Sequence, residues 1–208
     1  MRRQMTSCVF FVLILPFAAM AAPTTPELAA HMAQRFEQAP VLRAEFTQEK
    51  RMAAFRKPLQ TRGQLTVVRG EGVIWQIDAP LKVAYVLAED RIVEIGEDGV
   101  TQIRAAQDMP GLAQVGALFR ALLGARVDVL ADLFAVVPEG TLDAWRLTLT
   151  PRPGPIAQAI REIRMNGGRH VEQIRIDEAN GDSATLVFRN FREDRTLLPV
   201  ERERFGLR

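Results

Sequence analysis

Cysteine is almost absent from this sequence: Cys8 is the only one among 208 residues, and it lies in an N-terminal stretch that reads as removable. The rest of the chain must fold without disulfides, which asks for a substantial hydrophobic core. Reactive side chains are scarce as well. Beyond residue 21 there is one serine (Ser183), one tyrosine (Tyr85) and two histidines (His31 and His170). Ser183 stands in Asn180-Gly181-Asp182-Ser183, which is turn chemistry between two strand-like runs, and no Gly-x-Ser-x-Gly elbow occurs. Neither histidine has a second one at ligand spacing. Asp177 and Glu178 are neighbours on a strand, so their side chains point to opposite faces. No catalytic residue, metal or cofactor is expected. A secreted hydrolase would have to be built on Ser183 or His170.

An excess of one charge is missing too. The formal charge of the whole chain is +2, and the first 21 residues carry Arg2 and Arg3 but no acid. Without them the formal charge is 0. That balance gives a nucleic-acid partner no electrostatic support.

What is present begins at the N-terminus. Arg2 and Arg3 precede an apolar run from Val9 to Met20, which ends in the small-residue pattern Ala19-Met20-Ala21. That order reads as a signal peptide over residues 1–21, cleaved between Ala21 and Ala22. The run is shorter than the ~20 apolar residues of a spanning helix and contains Pro16. A lipoprotein anchor would need its cysteine at the cleavage point, whereas Cys8 precedes the apolar core. The expectation is a soluble, exported chain with one domain over residues 22–208.

Within that domain, Thr25 to Gln38 reads as a helix with a threonine cap, Pro26 at its first position and Leu28, Met32 and Phe36 on one stripe. After Pro40 the period becomes two. Leu65, Val67 and Arg69 share a face, as do Val73, Trp75 and Ile77. Further strands are expected at 83–88, 91–95, 100–104, 133–137, 144–150, 162–165, 170–177, 184–191 and 200–205. Asp98-Gly99, Asn166-Gly167-Gly168 and Asn180-Gly181-Asp182 are the turns between several of them. Between the two groups of strands, Leu112, Val115, Leu118, Phe119 and Leu122 fall on one helical face, bounded by Gly111 and Gly124. A further helical turn is expected at 156–160.

The pattern is an α+β chain with an antiparallel meander of nine to eleven strands and two or three helices; no βαβ alternation suggests a parallel sheet. A long antiparallel sheet must cover one face, and a curved sheet with two helices laid into its concave side does so. The apolar residues then either line a cavity for a hydrophobic ligand or are ordinary core, and periodicity does not separate the two.

Short motifs along nearly the whole domain resemble one family. Phe46-Thr47-Gln48-Glu49-Lys50 after an exported helix is similar to the Phe-Thr-Gln segment of LolA-type outer-membrane lipoprotein carriers. The match continues through Gly63 to Arg69, Val73-Ile74-Trp75 and Ala79-Pro80, then Ile174 to Asp177 with its Gly-Asp turn, Ala184 to Phe191, and an end at Phe205. The resemblance implies an incomplete, half-open antiparallel β-barrel with helices covering its concave face. Its implied function is a periplasmic carrier that binds the acyl chains of a lipoprotein or related lipid. Cargo would pass from an inner-membrane transporter to an outer-membrane receptor, with the carrier a monomer.

The resemblance also implies residue roles. Leu65, Val67, Val73, Trp75 and Ile77 would line the cavity, and Leu112, Val115, Leu118, Phe119 and Leu122 would form the inner stripe of a lid. Arg69 would couple lid closure to cargo release. Read as residues alone, Trp75 also fits plain core, and Arg69 fits a surface arginine at a strand end. Met109-Pro110-Gly111 and Lys57-Pro58-Leu59 depart from the family pattern and mark a divergent branch, whose cargo could be a lipoprotein or a glycolipid. The alternative function is an envelope sensor or structural protein using the same half-barrel without lipid transport.

Overall fold

The computed structural model describes residues 24, 26–28, 30–31, 34, 39–105, 117–118, 120–121 and 127–207. The signal peptide expected over residues 1–21 lies outside them.

Eleven strands form one sheet: β1 (Val41–Arg51), β2 (Leu59–Val68), β3 (Gly72–Ala79), β4 (Val83–Leu87), β5 (Arg91–Gly96), β6 (Thr101–Ala105), β7 (Phe134–Thr141), β8 (Ala144–Pro151), β9 (Ile160–Gly167), β10 (Val171–Glu178) and β11 (Ser183–Asp194). Their spatial order is β6-β5-β4-β3-β2-β1-β11-β10-β9-β8-β7, every pair antiparallel. Two meanders, β1–β6 and β7–β11, are therefore joined through β1 and β11. The sheet is open, with β6 and β7 as its edges.

Two of the expected turns fall where glycine supplies a left-handed backbone, while Asn166 and Gly167 of the third belong to β9, so that its turn starts at Gly168. Gly99 (φ 78°) lies between β5 and β6, and Gly181 (φ 92°) between β10 and β11. Gly63 has a different reason. A Cβ there would lie 1.8 Å from the Gln76 carbonyl oxygen, at the register shift between Arg62 and Gly63. Only a residue without a side chain lets β3 pass that close to β2.

Because side chains alternate along a strand, the sheet presents two faces, and each carries its own core. The larger core takes Leu42, Ala44 and Phe46 from β1, Leu65 and Val67 from β2, Trp145, Leu147 and Leu149 from β8, and Leu186 and Phe188 from β11. Leu28, Leu118, Ala121 and Leu130, all on helical residues, are buried in the same cluster. Leu130 belongs to α1 (Val127–Leu133). Leu28 belongs to the N-terminal helical segment, where Thr24 is the cap: its Oγ1 accepts from the Glu27 N–H (3.4 Å) and its N–H donates to the Glu27 carboxylate (2.8 Å). Met32 and Phe36 of the expected stripe lie outside the described residues.

The smaller core is on the other face: Val41, Val68, Ile74, Val86, Val93 and Phe205. Besides α2 (Pro155–Ala159), the helical turn expected near 156–160, the chain ends in α3 (Pro199–Arg204). A strand expected at 200–205 is thus a helix. Pro199 sits at its first turn, the Glu201 carboxylate accepts from the Leu198 N–H (2.7 Å), and Arg202 and Arg204 occupy its last turn. These are helix-start and helix-end signals, and they outweigh a weak alternation in Val-Glu-Arg-Glu-Arg-Phe.

Candidate functional site

β2 and β3 carry the first half of the expected lining. Leu65 lies directly opposite Trp75, Val67 opposite Val73, and Gly63 opposite Ile77, so these apolar side chains meet on the larger-core face. Val73 is fully buried, Leu65, Val67 and Trp75 nearly so, and Ile77 is half-buried. Trp75 lies over Phe46 with ring centroids 3.9 Å apart and meets Phe188 edge-on at 6.4 Å. Three strands, β1, β3 and β11, thereby place three aromatic rings together at the middle of the sheet.

Leu118 is buried in the same cluster from a helical position, 5% exposed. Leu112, Val115, Phe119 and Leu122 lie outside the described residues. Arg69 stands one residue beyond β2 in the β2–β3 turn, exposed, and its N–H donates to the Pro40 carbonyl (2.9 Å).

Two features of this face escaped sequence reasoning. The first is its second half, where Trp145, Leu147, Leu149, Ile163, Met165 and Ile174 extend the apolar surface across β8, β9 and β10. Trp145, Leu147 and Leu149 alternate with Arg146 and Thr148, so period two was there to be read. The second is Arg120, a single charge within the run Leu118-Phe119-Arg120-Ala121-Leu122. Its Nη1 donates to the Ala88 carbonyl oxygen (2.7 Å), tying the middle helical segment to the β4–β5 turn. Burial holds this guanidinium below its ordinary pKa, with the nearby Glu89 charge partly offsetting that effect.

Charge is concentrated elsewhere. On the opposite face Arg43 grips Glu201 with two bonds, Nε to Oε1 (2.7 Å) and Nη2 to Oε2 (2.6 Å), and its Nη1 reaches Asp194 (2.8 Å). Burial pushes the Glu201 carboxyl up, but Arg43, the Leu198 N–H and the Thr66 hydroxyl together hold it below the usual range. Asp177 is buried on that face as well, pushed up by burial and held down more strongly by Arg164 (2.6 Å) and Arg175 (2.9 Å). A cleft of about 680 Å³ also opens among Thr47, Glu49, Gln60, Arg62, Thr185 and Val187. Its lining mixes hydroxyl, amide and charged side chains with Ala79, Pro80 and Val187. Among the described residues no group of three His, Cys, Asp or Glu side chains is placed to hold a metal ion.

A model of the family described as "outer membrane lipoprotein carrier protein LolA-like" matches residues 21–187. The chain belongs to that family. Solved structures similar to this LolA-like chain include a DUF1329 family protein from Desulfovibrio piger, 13% identical, with TM-score 0.46, covering 88% of this chain and 98% of that one. Another is the LolA superfamily protein NE2245 from Nitrosomonas europaea, 12% identical, TM-score 0.47, covering 87% and 97%. The MucA/MucB complex of Pseudomonas aeruginosa is similar at 11% identity and TM-score 0.44, covering 85% of this chain and 59% of that one. No curated protein matches the LolA-like sequence.

Proposed function

We propose that this LolA-like protein is a periplasmic carrier that shelters the acyl chains of a lipoprotein or related lipid between its larger apolar face and the helical segments packed on that face. One observation carries the reading. The apolar face runs without interruption from β3 through β1 and β11 to β8, and helical residues Leu28, Leu118, Ala121 and Leu130 share its core. An acyl chain gains about 0.8 kcal/mol per buried methylene, so it crosses an aqueous compartment only inside such a shelter.

The helices act as a cover laid on the concave side of a half-open barrel, and cargo enters by displacing them. Exchanging a helix's leucines for methylenes of a lipid is apolar for apolar, so the swap is nearly balanced and reversible. A carrier needs that balance, because a face that held its cargo by full burial energy would never release it. Loading from an inner-membrane transporter and delivery to an outer-membrane receptor complete the cycle.

The test is direct binding of a fluorescent fatty acid or acylated peptide by the purified protein. The wild type is expected to bind, and Trp75→Glu, which puts a carboxylate at the aromatic cluster, is expected to abolish binding. A wild-type protein that keeps its fold and binds neither probe overturns the reading. Mass spectrometry of lipid that co-purifies from the native periplasm identifies the cargo.

A further inference from the structure

All the odd-numbered hairpin connections of the first meander open at one end of the sheet, where the β1–β2 loop, the β3–β4 turn and the β5–β6 turn lie side by side. That end exposes apolar side chains. Phe55 in the β1–β2 loop is 65% exposed and Leu81 in the β3–β4 turn 74% exposed. Phe55 is held outward by a tight turn in which its N–H donates to the Met52 carbonyl (2.9 Å), and the Ala53 N–H donates to Asp182 (2.9 Å) on the neighbouring β10–β11 turn. Arg62 pairs with Ala79, so β2 continues three residues past the end of β3, to Leu59. At about 3.3 Å per residue, the paired β1–β2 strands run about 10 Å beyond the end of β3, from which the β3–β4 turn also projects.

The charge of the projecting β1–β2 hairpin is one-sided, whereas the β5–β6 turn beside it carries Glu97 and Asp98. From Lys50 to Arg62 the sequence has five basic residues and no acid, although the whole chain is close to neutral. Lys50 pairs with Glu178 (3.0 Å) and Arg51 with Glu49 (2.7 Å). Arg56 and Lys57, which directly follow Phe55, make no ion pair among the described residues, and Lys82 follows Leu81. Asp182, on the neighbouring β10–β11 turn, is engaged with the Ala53 N–H.

We propose that this tip docks on an anionic lipid surface, with Phe55 and Leu81 entering the interface and Arg56, Lys57 and Lys82 at the headgroups. Exposed apolar residues ringed by unpaired cations suit a negatively charged bilayer, and long basic side chains keep their charge in the headgroup layer while their stems lie along apolar surface. A stable protein interface would bury a larger area than one projecting hairpin offers. The inference does not rest on the cargo reading, because the tip lies at the loops and not on the apolar face.

Co-sedimentation tests it, with vesicles of phosphatidylcholine alone and of phosphatidylcholine mixed with phosphatidylglycerol. The wild type is expected to partition onto the mixed vesicles at low salt and to come off as salt rises. Each basic residue at an anionic surface is worth about a fivefold change in partitioning, so R56Q/K57Q is expected to lower binding about 30-fold. F55S/L81S should also lower binding to the mixed vesicles. As a second readout, both native tryptophans are buried, so Phe55→Trp is expected to give a new emission component that lipid-borne quenchers reach only with mixed vesicles. Wild-type protein that stays in solution overturns the proposal. So does equal binding to the two compositions, or undiminished binding by R56Q/K57Q with an unchanged thermal melt. Fatty-acid binding in the same samples reports on the carrier reading separately.

Discussion

Helical residues pack on both faces of the sheet, and they are held there in opposite ways. On one, α3 is fixed by a buried fork: Arg43 and Glu201 are 8% and 6% exposed and share two bonds, with Asp194, Thr66 and Thr196 adding more. On the other, the helical residues meet the sheet through leucine, alanine and aromatic contacts, and among the described residues the middle helical segment adds one side-chain bond, from Arg120 to Ala88. Directional charge pairs resist sliding, while apolar contacts exchange one partner for another at little cost. The fork is expected to hold fast and the apolar packing to yield. Breaking the rivet is expected to have the largest effect. Arg43→Ala leaves the Glu201 carboxylate buried without its partner, and denaturant unfolding should show a loss of about 3–5 kcal/mol.

The rivet should also be sensitive to acid. Glu201 and Asp177 both have folded pKa values below their ordinary ones. A lowered carboxyl stabilises the fold fully above its unfolded pKa, near 4, and that stability is lost as pH falls through the folded value. Unfolding midpoints should therefore stay level from neutral pH to about 5 and fall progressively below it. An Arg43→Met/Glu201→Leu double variant sharpens the comparison, since it replaces the rivet with an apolar contact. It is expected to recover most of the stability that Arg43→Ala loses and to show a shallower decline in acid.

How much of this was legible depends on how far apart the partners lie. The face of Leu65, Val67, Val73, Trp75 and Ile77 could be read because a strand writes its face into alternate residues. The turns at Gly99 and Gly181 could be read because only a few residue types tolerate their backbone. Ten of the eleven strands follow from such local signals, β1 is marked only by the family motif at Phe46, and the family motifs imply an open barrel. The pairing of Arg43 with Glu201, 158 residues away, leaves no local mark. Without it, Val200 to Phe205 looked like one more strand. Arg120 was visible as a lone charge in an apolar run, but its acceptor is a backbone carbonyl, which every residue possesses. Gly63 was noticed as part of a motif; its reason, the approach of the Gln76 carbonyl, needs the register of β2 on β3.

The smaller effects test whether the apolar cover is the yielding one. Arg120→Gln should cost about 1–2 kcal/mol, the net worth of a bond from a charged donor, far less than Arg43→Ala. Hydrogen exchange should show the loss as faster opening of the middle helical segment, with α3 unchanged. Arg69 is the finest probe. Its turn lies beside the latch: Gly72, which closes that turn, packs so near β4 that a Cβ there would lie 3.2 Å from the Ala88 Cα. As an exposed turn residue, Arg69→Ala is expected to change stability by less than about 0.5 kcal/mol. The family resemblance gives it a part in release all the same, and its position offers a route, through the Ala88 turn that accepts from Arg120. Arg69→Ala should then speed release of a bound fluorescent lipid in the wild-type background and add nothing in the Arg120→Gln background. Additive acceleration in the double variant would mean that the two arginines act separately, and that Arg69 reaches the cover by some route other than the latch.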